Sequence, residues 1–120
     1  MKVAISATAK NLDAQVDPRF GRAACFLLVD PETMEYEPIE NTQNIQAAQG
    51  AGIQAATLVA RKKAEAVITG HCGPKAFETL NAAGVRVVVG VSGSVREAVE
   101  NFKAGKYSYA ETADVEGHWM

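Results

Sequence analysis

Cysteine, tryptophan and net charge are all scarce in this 120-residue chain, which has two cysteines, one tryptophan and a formal net charge of -2. Two thiols, Cys25 and Cys72, cannot build the disulfide framework of a small secreted domain. A reducing cytoplasm is the expected setting. Near-neutral charge argues against a general nucleic-acid binder, whose affinity rests on cations set against phosphates. No apolar run approaches the roughly 20 residues that a bilayer demands. The N-terminal MKVAISATAKNLDAQ alternates like a strand and does not read as a signal peptide. Internal repeats, low-complexity segments and linkers are missing too. One domain over residues 1–105 is expected, followed by a loosely packed polar tail over 106–120.

What is present is ordinary for a globular chain: 48% hydrophobic and 22% charged residues. KVAISA (2–7) reads as a strand with Val3 and Ile5 on one face. AACFLLVD (23–30) is a continuous apolar run, the pattern of a strand covered on both faces. MEYEPIE (34–40) alternates Met34, Tyr36 and Ile39 with acids, and its Pro38 places it at a sheet edge. These two runs form a hairpin. From Gly50 the period becomes helical, with Ala51, Ala55, Leu58 and Val59 on one stripe. AEAVIT (64–69) is a strand, and Pro74–Ala83 a helix that turns Ala76, Phe77, Leu80 and Ala83 inward. VRVVVGV (85–91) is a strand, and Ser94 and Glu97 form a capping box for a helix carrying Val95, Ala98, Val99 and Phe102.

Strands alternating with helices call for a largely parallel sheet with helices on its faces. Ligands of such sheets sit beyond the carboxyl ends of the strands. Three exits would share that edge: Ala7–Lys10, Gly70–Pro74 and Gly90–Ser94. At the middle exit, GHCGP places His71 and Cys72 at the expected rim of a pocket. A thiol enzyme is one reading, with Cys72 activated by a helix N-terminus and His71 as base. A phosphatase loop would need arginine six residues after the cysteine, and Glu78 stands there. Soft-metal ligation by His71 and Cys72 is a second reading, although a closed zinc site wants four donors. A loop that merely fills space is the third.

Cys25, inside an apolar strand, reads as a small core residue, and His118 as a solvated tail residue. Gly50-Ala51-Gly52 with Ala55 matches the loose dinucleotide pattern. No acid ends the next strand, so a nicotinamide site is rejected. Glycines at a helix start can still bring an anion close to backbone N–H groups. In DPRFGRAACF (17–26), Arg19 and Arg22 flank Phe20-Gly21 and offer two planar cationic forks to an anionic guest. Two solvated surface arginines is the plain alternative.

DPRFGR with its following apolar strand, the GAGIQAA helix start, and Gly70, Gly73, Pro74 and Ala76 in the third loop occur in this order. Together they resemble the dinitrogenase iron–molybdenum cofactor family over about residues 1–105. The resemblance implies a ribonuclease H-like α/β fold: a mixed five-stranded sheet with an N-terminal β-hairpin, an antiparallel second strand and flanking helices. It implies no nuclease, because such a nuclease holds two metal ions on clustered carboxylates and KVAISA has none. The implied role is non-catalytic binding or carriage of an anionic metal–sulfur cluster containing molybdenum, of the molybdenum–copper sulfide or iron–molybdenum type, in an anaerobe. A cluster-donor or recipient protein is the implied partner, and a monomer is expected.

On this reading the cofactor-binding residues are Arg19, Phe20, Gly21, Arg22, Gly70, His71, Cys72, Gly73, Pro74, Ser92, Gly93 and Ser94. The arginines supply charge, Phe20 shields the guest from water, and His71 and Cys72 are candidate metal ligands. No catalytic residue is assigned. A ligand-free partner-binding module, using the acidic hairpin Asp30–Glu40, stands as a further alternative.

Overall fold

A computed structural model describes residues 1–41, 50–111 and 113. Five strands are present among them: β1 (Val3–Ala7), β2 (Cys25–Val29), β3 (Tyr36–Glu40), β4 (Ala66–Ile68) and β5 (Arg86–Val88). Helices α1 (Ala51–Arg61), α2 (Pro74–Ala82) and α3 (Val95–Lys103) follow β3, β4 and β5 respectively. The sheet order is β3-β2-β1-β4-β5. β2 runs antiparallel to both β1 and β3, while β1, β4 and β5 are mutually parallel. This is the mixed five-stranded α/β sheet expected, with the second strand reversed.

Alternation along the central strands divides the core in two. Ala4, Phe26, Leu28 and Val67 pack beneath α1 and α2, which contribute Ala55, Ala56, Val59, Ala76 and Leu80. Val3, Ile5, Leu27, Val29 and Ile68 face the other way, onto Val95, Ala98 and Val99 of α3. Burying a side chain the size of Phe26 or Leu27 contributes about 1.5–3 kcal/mol. Every residue of β1 and β2 is buried. A central strand covered on both faces needs apolar side chains at both parities.

Three local expectations are corrected. Met34 takes a left-handed backbone (φ 62°) in the turn before β3. In β3 only Ile39 is buried, opposite Phe26, while Tyr36 is exposed. Positions 36 and 39 have opposite parity, so one strand cannot turn both inward. Ala83 is the exposed C-cap of α2 rather than part of its apolar stripe.

The start of the tail is also docked rather than loose. The Ala110 N–H donates to the Val87 carbonyl at 2.7 Å. The Tyr109 ring meets Phe102 at 6.3 Å and lies 4.2 Å beneath the Arg86 guanidinium. His118 lies outside the described residues, as do positions 42–49. No helix among the described residues is long and apolar enough to cross a membrane.

Candidate functional site

Because β1, β4 and β5 are parallel, their carboxyl ends open on one edge, and α2 and α3 begin there. The shared edge expected for Cys72 and Gly93 is therefore present. The Gly90 N–H donates to the Gly70 carbonyl at 2.8 Å, and the Val91 N–H to the Thr69 carbonyl at 3.2 Å. The polar segment before β2 runs across this edge and is stitched to all three exits. It bonds through the Val16 N–H to the Gly93 carbonyl (2.9 Å) and through the Asp17 N–H to the Ser6 carbonyl (2.8 Å). At the β4 exit, the His71 N–H donates to the Pro18 carbonyl (2.8 Å) and the Phe20 N–H to the His71 carbonyl (3.2 Å). Arg19 and His71 thereby become paired neighbours, 52 positions apart in the chain, and both are exposed.

Close glycine contacts make this crossing fit. A Cβ on Gly70 would stand 2.7 Å from the Pro18 Cα, and one on Gly21 2.8 Å from the Gly52 Cα. Gly52 in turn faces the Ala76 methyl, 3.1 Å from where its own Cβ would be. The three sequence motifs thus meet in one place. GAG at the start of α1 is explained by packing against Gly21 and Ala76. Arg22 is half-buried beside this junction. Buried Asn41 secures the loop by donating through Nδ2 to the Gly21 carbonyl (3.2 Å) and the Ala23 carbonyl (2.9 Å).

Several expected site residues stand elsewhere than at an open rim. Cys72 is 0% exposed and belongs to the core cluster beneath α1 and α2, its Sγ 3.8 Å from the Gly73 carbonyl oxygen. The loop turns so that His71 faces outward and its neighbour inward, which removes Cys72 from the surface. Phe20, at 1% exposure, stacks on Phe26 with ring centroids 5.2 Å apart. It is a core side chain rather than a cover over a guest.

Ser94 caps α3, its Oγ accepting from the Glu97 N–H at 3.1 Å. The Glu97 carboxylate lies 3.1 Å from the same hydroxyl and places negative charge beside Gly93 and exposed Ser92. In contrast, α2 begins at Gly73 and Pro74 with no side-chain cap and no acid in its first turn.

Cys25 is the core residue expected, on the face opposite Cys72. Burial pushes its thiol above the usual cysteine range. At the far end of the edge, Lys10 pairs with Glu40. That contact holds the Glu40 carboxyl below, and the Lys10 ammonium above, their ordinary values. Among the described residues no group of three His, Cys, Asp or Glu side chains could hold a metal ion. Among the described residues Ser6, Asp17, Asn41 and Thr69 are the buried polar ones, and sequence reasoning gave Ser6, Asn41 and Thr69 no role. Only Thr69, the polar residue that follows the apolar β4 strand, has a local signal.

The model of the dinitrogenase iron–molybdenum cofactor family matches residues 1–105. The chain belongs to this family. It is similar to the apo form of the orange protein of Desulfovibrio gigas, with 41% identity and a TM-score of 0.93 over 95% of this chain and 96% of the other. It is also similar to a NifB-related Thermotoga protein solved by NMR, with 37% identity and a TM-score of 0.82 over 97% and 98% of the two chains. An uncharacterized protein of Methanocaldococcus jannaschii is 32% identical over 110 residues, 88% of this chain and 92% of its own length.

Proposed function

We propose that this family member binds and carries an anionic metal–sulfur cluster, without catalysing a reaction on it. Residues 1–105 are the binding unit, and the cluster is its cargo. The observation that carries this reading is the pairing of Arg19 with His71 beside the uncapped start of α2. Arg19, Arg22 three residues on, and a helix end whose first N–H groups have no intrahelical partner bring positive potential to one rim, and His71 adds an imidazole beside Arg19. Such a rim suits a guest that arrives with its own sulfide ligands. A bare metal ion would need protein donors that the described residues do not assemble.

The binding set proposed is Arg19, Gly21, Arg22, Gly70, His71, Gly73 and Pro74; Gly93 and Ser94 lie beside the Glu97 carboxylate, and with Ser92 they are left out of it. The family and the orange-protein likeness favour a molybdenum-containing cluster, of the molybdenum–copper sulfide or iron–molybdenum type. A protein that donates or receives the cluster is the partner such a carrier requires. Strand order β3-β2-β1-β4-β5 supports the ribonuclease H-like description of the fold. No carboxylate lies on β1 to support nuclease chemistry. Burial of Cys72 works against a thiol enzyme, since a reactive cysteine needs an accessible thiolate.

The test is visible absorption and metal analysis of protein purified without oxygen from its own host. A coloured, molybdenum-containing protein is expected. A colourless, metal-free protein from that source overturns the reading. Cys72→Ser then separates enclosure from ligation. With the thiol in the core, the variant should keep the parent's visible spectrum, whereas loss of a thiolate ligand would shift its charge-transfer bands strongly.

A further inference from the structure

Two buried hydroxyls lie beneath the rim that carries Arg19 and His71. Ser6, in the last turn of pleat of β1, and Thr69, just after β4, are both fully buried. Their hydroxyl oxygens are 2.7 Å apart, and the Ser6 Oγ is also 2.7 Å from the Asp17 carbonyl oxygen. One hydroxyl has a single proton. The carbonyl can only accept, so Ser6 donates to Asp17 and accepts the proton of Thr69.

Asp17, itself buried, fixes the next step, because its Oδ1 accepts from the Arg19 N–H at 3.0 Å. The chain of contacts therefore runs from β4 through Thr69, Ser6 and Asp17 to the backbone of Arg19. It returns to the β4 exit through the Pro18–His71–Phe20 pairing. Alanine and valine would fill these two positions without burying a polar side-chain atom, and burying one costs free energy unless it is bonded. What the hydroxyls add is a fixed register between the crossing segment and the strand ends.

We infer that Ser6 and Thr69 are positioning residues of the anion site, which hold Arg19 against His71 before any guest arrives. The inference rests on the reading of this rim as an anion site. Neither hydroxyl touches the guest. Their contribution is preorganisation, which removes from the binding step the cost of ordering the segment 17–20.

The experiment compares Thr69→Val, which keeps the shape and removes the proton, with Thr69→Ser, which restores it. Ser6→Ala removes both bonds. The first readout is amide hydrogen exchange at His71 and Phe20, with Leu27 of β2 as the reference for global opening. In Thr69→Val and Ser6→Ala the two loop amides should exchange about tenfold faster, the scale of one net hydrogen bond, with Leu27 unchanged. Thr69→Ser should return them to within about twofold of the parent. The second readout is binding of tetrathiomolybdate, a sulfide-ligated molybdenum anion, which should weaken about tenfold in the valine variant and recover in the serine variant.

Loop exchange unaffected by Thr69→Val overturns the positioning role, as does a serine variant that behaves like valine. A rise equal at Leu27 overturns it as well, since the hydroxyl would then serve overall stability alone. Tetrathiomolybdate affinity that stays at the parent's value while loop exchange quickens overturns the link to the guest. If the parent itself fails to bind the anion, the functional reading fails, and the exchange readout still decides the positioning role.

Discussion

The β4 and β5 exits leave the sheet on the same edge, and each leads through a short loop into a helix, yet they end differently. At the β5 exit the start of the helix is already bonded: the Val95 and Arg96 N–H groups donate to the Ala14 and Leu12 carbonyls, both at 2.9 Å. Ser94 bonds the Glu97 N–H, and the Glu97 carboxylate sits over the first turn. The positive end of that helix is already met. At the β4 exit Gly73 and Pro74 provide neither cap nor acid, and the neighbouring strand crossing delivers Arg19 and Arg22 instead. A helix end left uncapped beside Arg19 has charge to offer a guest, and one whose first N–H groups are already met does not.

The largest expected effect breaks or keeps that contrast directly. Removing Arg19 and Arg22 together should weaken cluster binding by about two to four orders of magnitude, since each charge-assisted contact contributes roughly 1.5–3 kcal/mol. Arg96, which pairs with Asp13 on the β5 side, should be replaceable by alanine with no change in affinity. Titration of both variants with the anionic cluster, monitored by absorbance, checks this. Equal loss in the two, or in neither, would dissolve the distinction between the exits.

The glycines of the two exits sharpen it next. Gly70 lacks space, because its Cβ would meet Pro18 backbone atoms at 2.7 and 2.8 Å. Gly90 has space and a left-handed backbone, φ +77°, with nothing within 4 Å of the added carbon. Gly70→Ala should cost about 2–3 kcal/mol, as overpacking against backbone does, and should displace Arg19 from His71. Gly90→Ala should cost about 1 kcal/mol through its backbone conformation alone and leave binding intact. Urea denaturation gives both values. A milder effect at Gly70 than at Gly90 would show that the crossing segment is not tightly docked.

Smaller again is the cap itself. Ser94→Ala should lower stability by about 1 kcal/mol and leave affinity for the guest unchanged, because that hydroxyl serves α3. A denaturant midpoint and a binding titration on the same variant separate the two quantities. Weaker guest binding at intact stability would restore the β5 exit to the site.

The shared edge was legible because it follows from element order. Strands alternating with helices require parallel neighbours, and parallel neighbours expose their exits together. The Ser94 cap of α3 and the core role of Cys25 were legible from local pattern. Cys72 and Phe20 were not. Both follow or precede a glycine in a loop, where no periodicity tells inward from outward, and only the Pro18–His71–Phe20 pairing settles their direction. The hidden roles of Ser6 and Thr69 depend on partners 11 and 63 positions away, a separation that local pattern cannot span.

The least effect belongs to the pair Lys10–Glu40, at the far end of the same edge. The hydrogen bond and charge of Lys10 depress the Glu40 carboxyl, and Glu40 raises the Lys10 ammonium in return. A depressed acid contributes stability that is present above its unfolded value and disappears as pH falls through the folded one. A raised lysine contributes below its unfolded value and loses that as pH rises past the folded one. The pair therefore contributes evenly through neutral pH and weakens only at the acidic and strongly alkaline ends. Both side chains are exposed, so water and salt screen most of the attraction. Glu40→Gln should lower Tm slightly at pH 7 and not at all once pH is well below the ordinary glutamate range, with the neutral-pH difference shrinking in high salt. A difference that survives in acid would mean that Glu40 acts through packing at the end of β3. Cluster binding should be the same in parent and variant, because β3 lies two strands beyond β1, on the side away from the β4 exit that carries His71. A gain in affinity on removing the Glu40 charge would extend the cationic rim across the whole edge, and the contrast between its two ends would have to be redrawn.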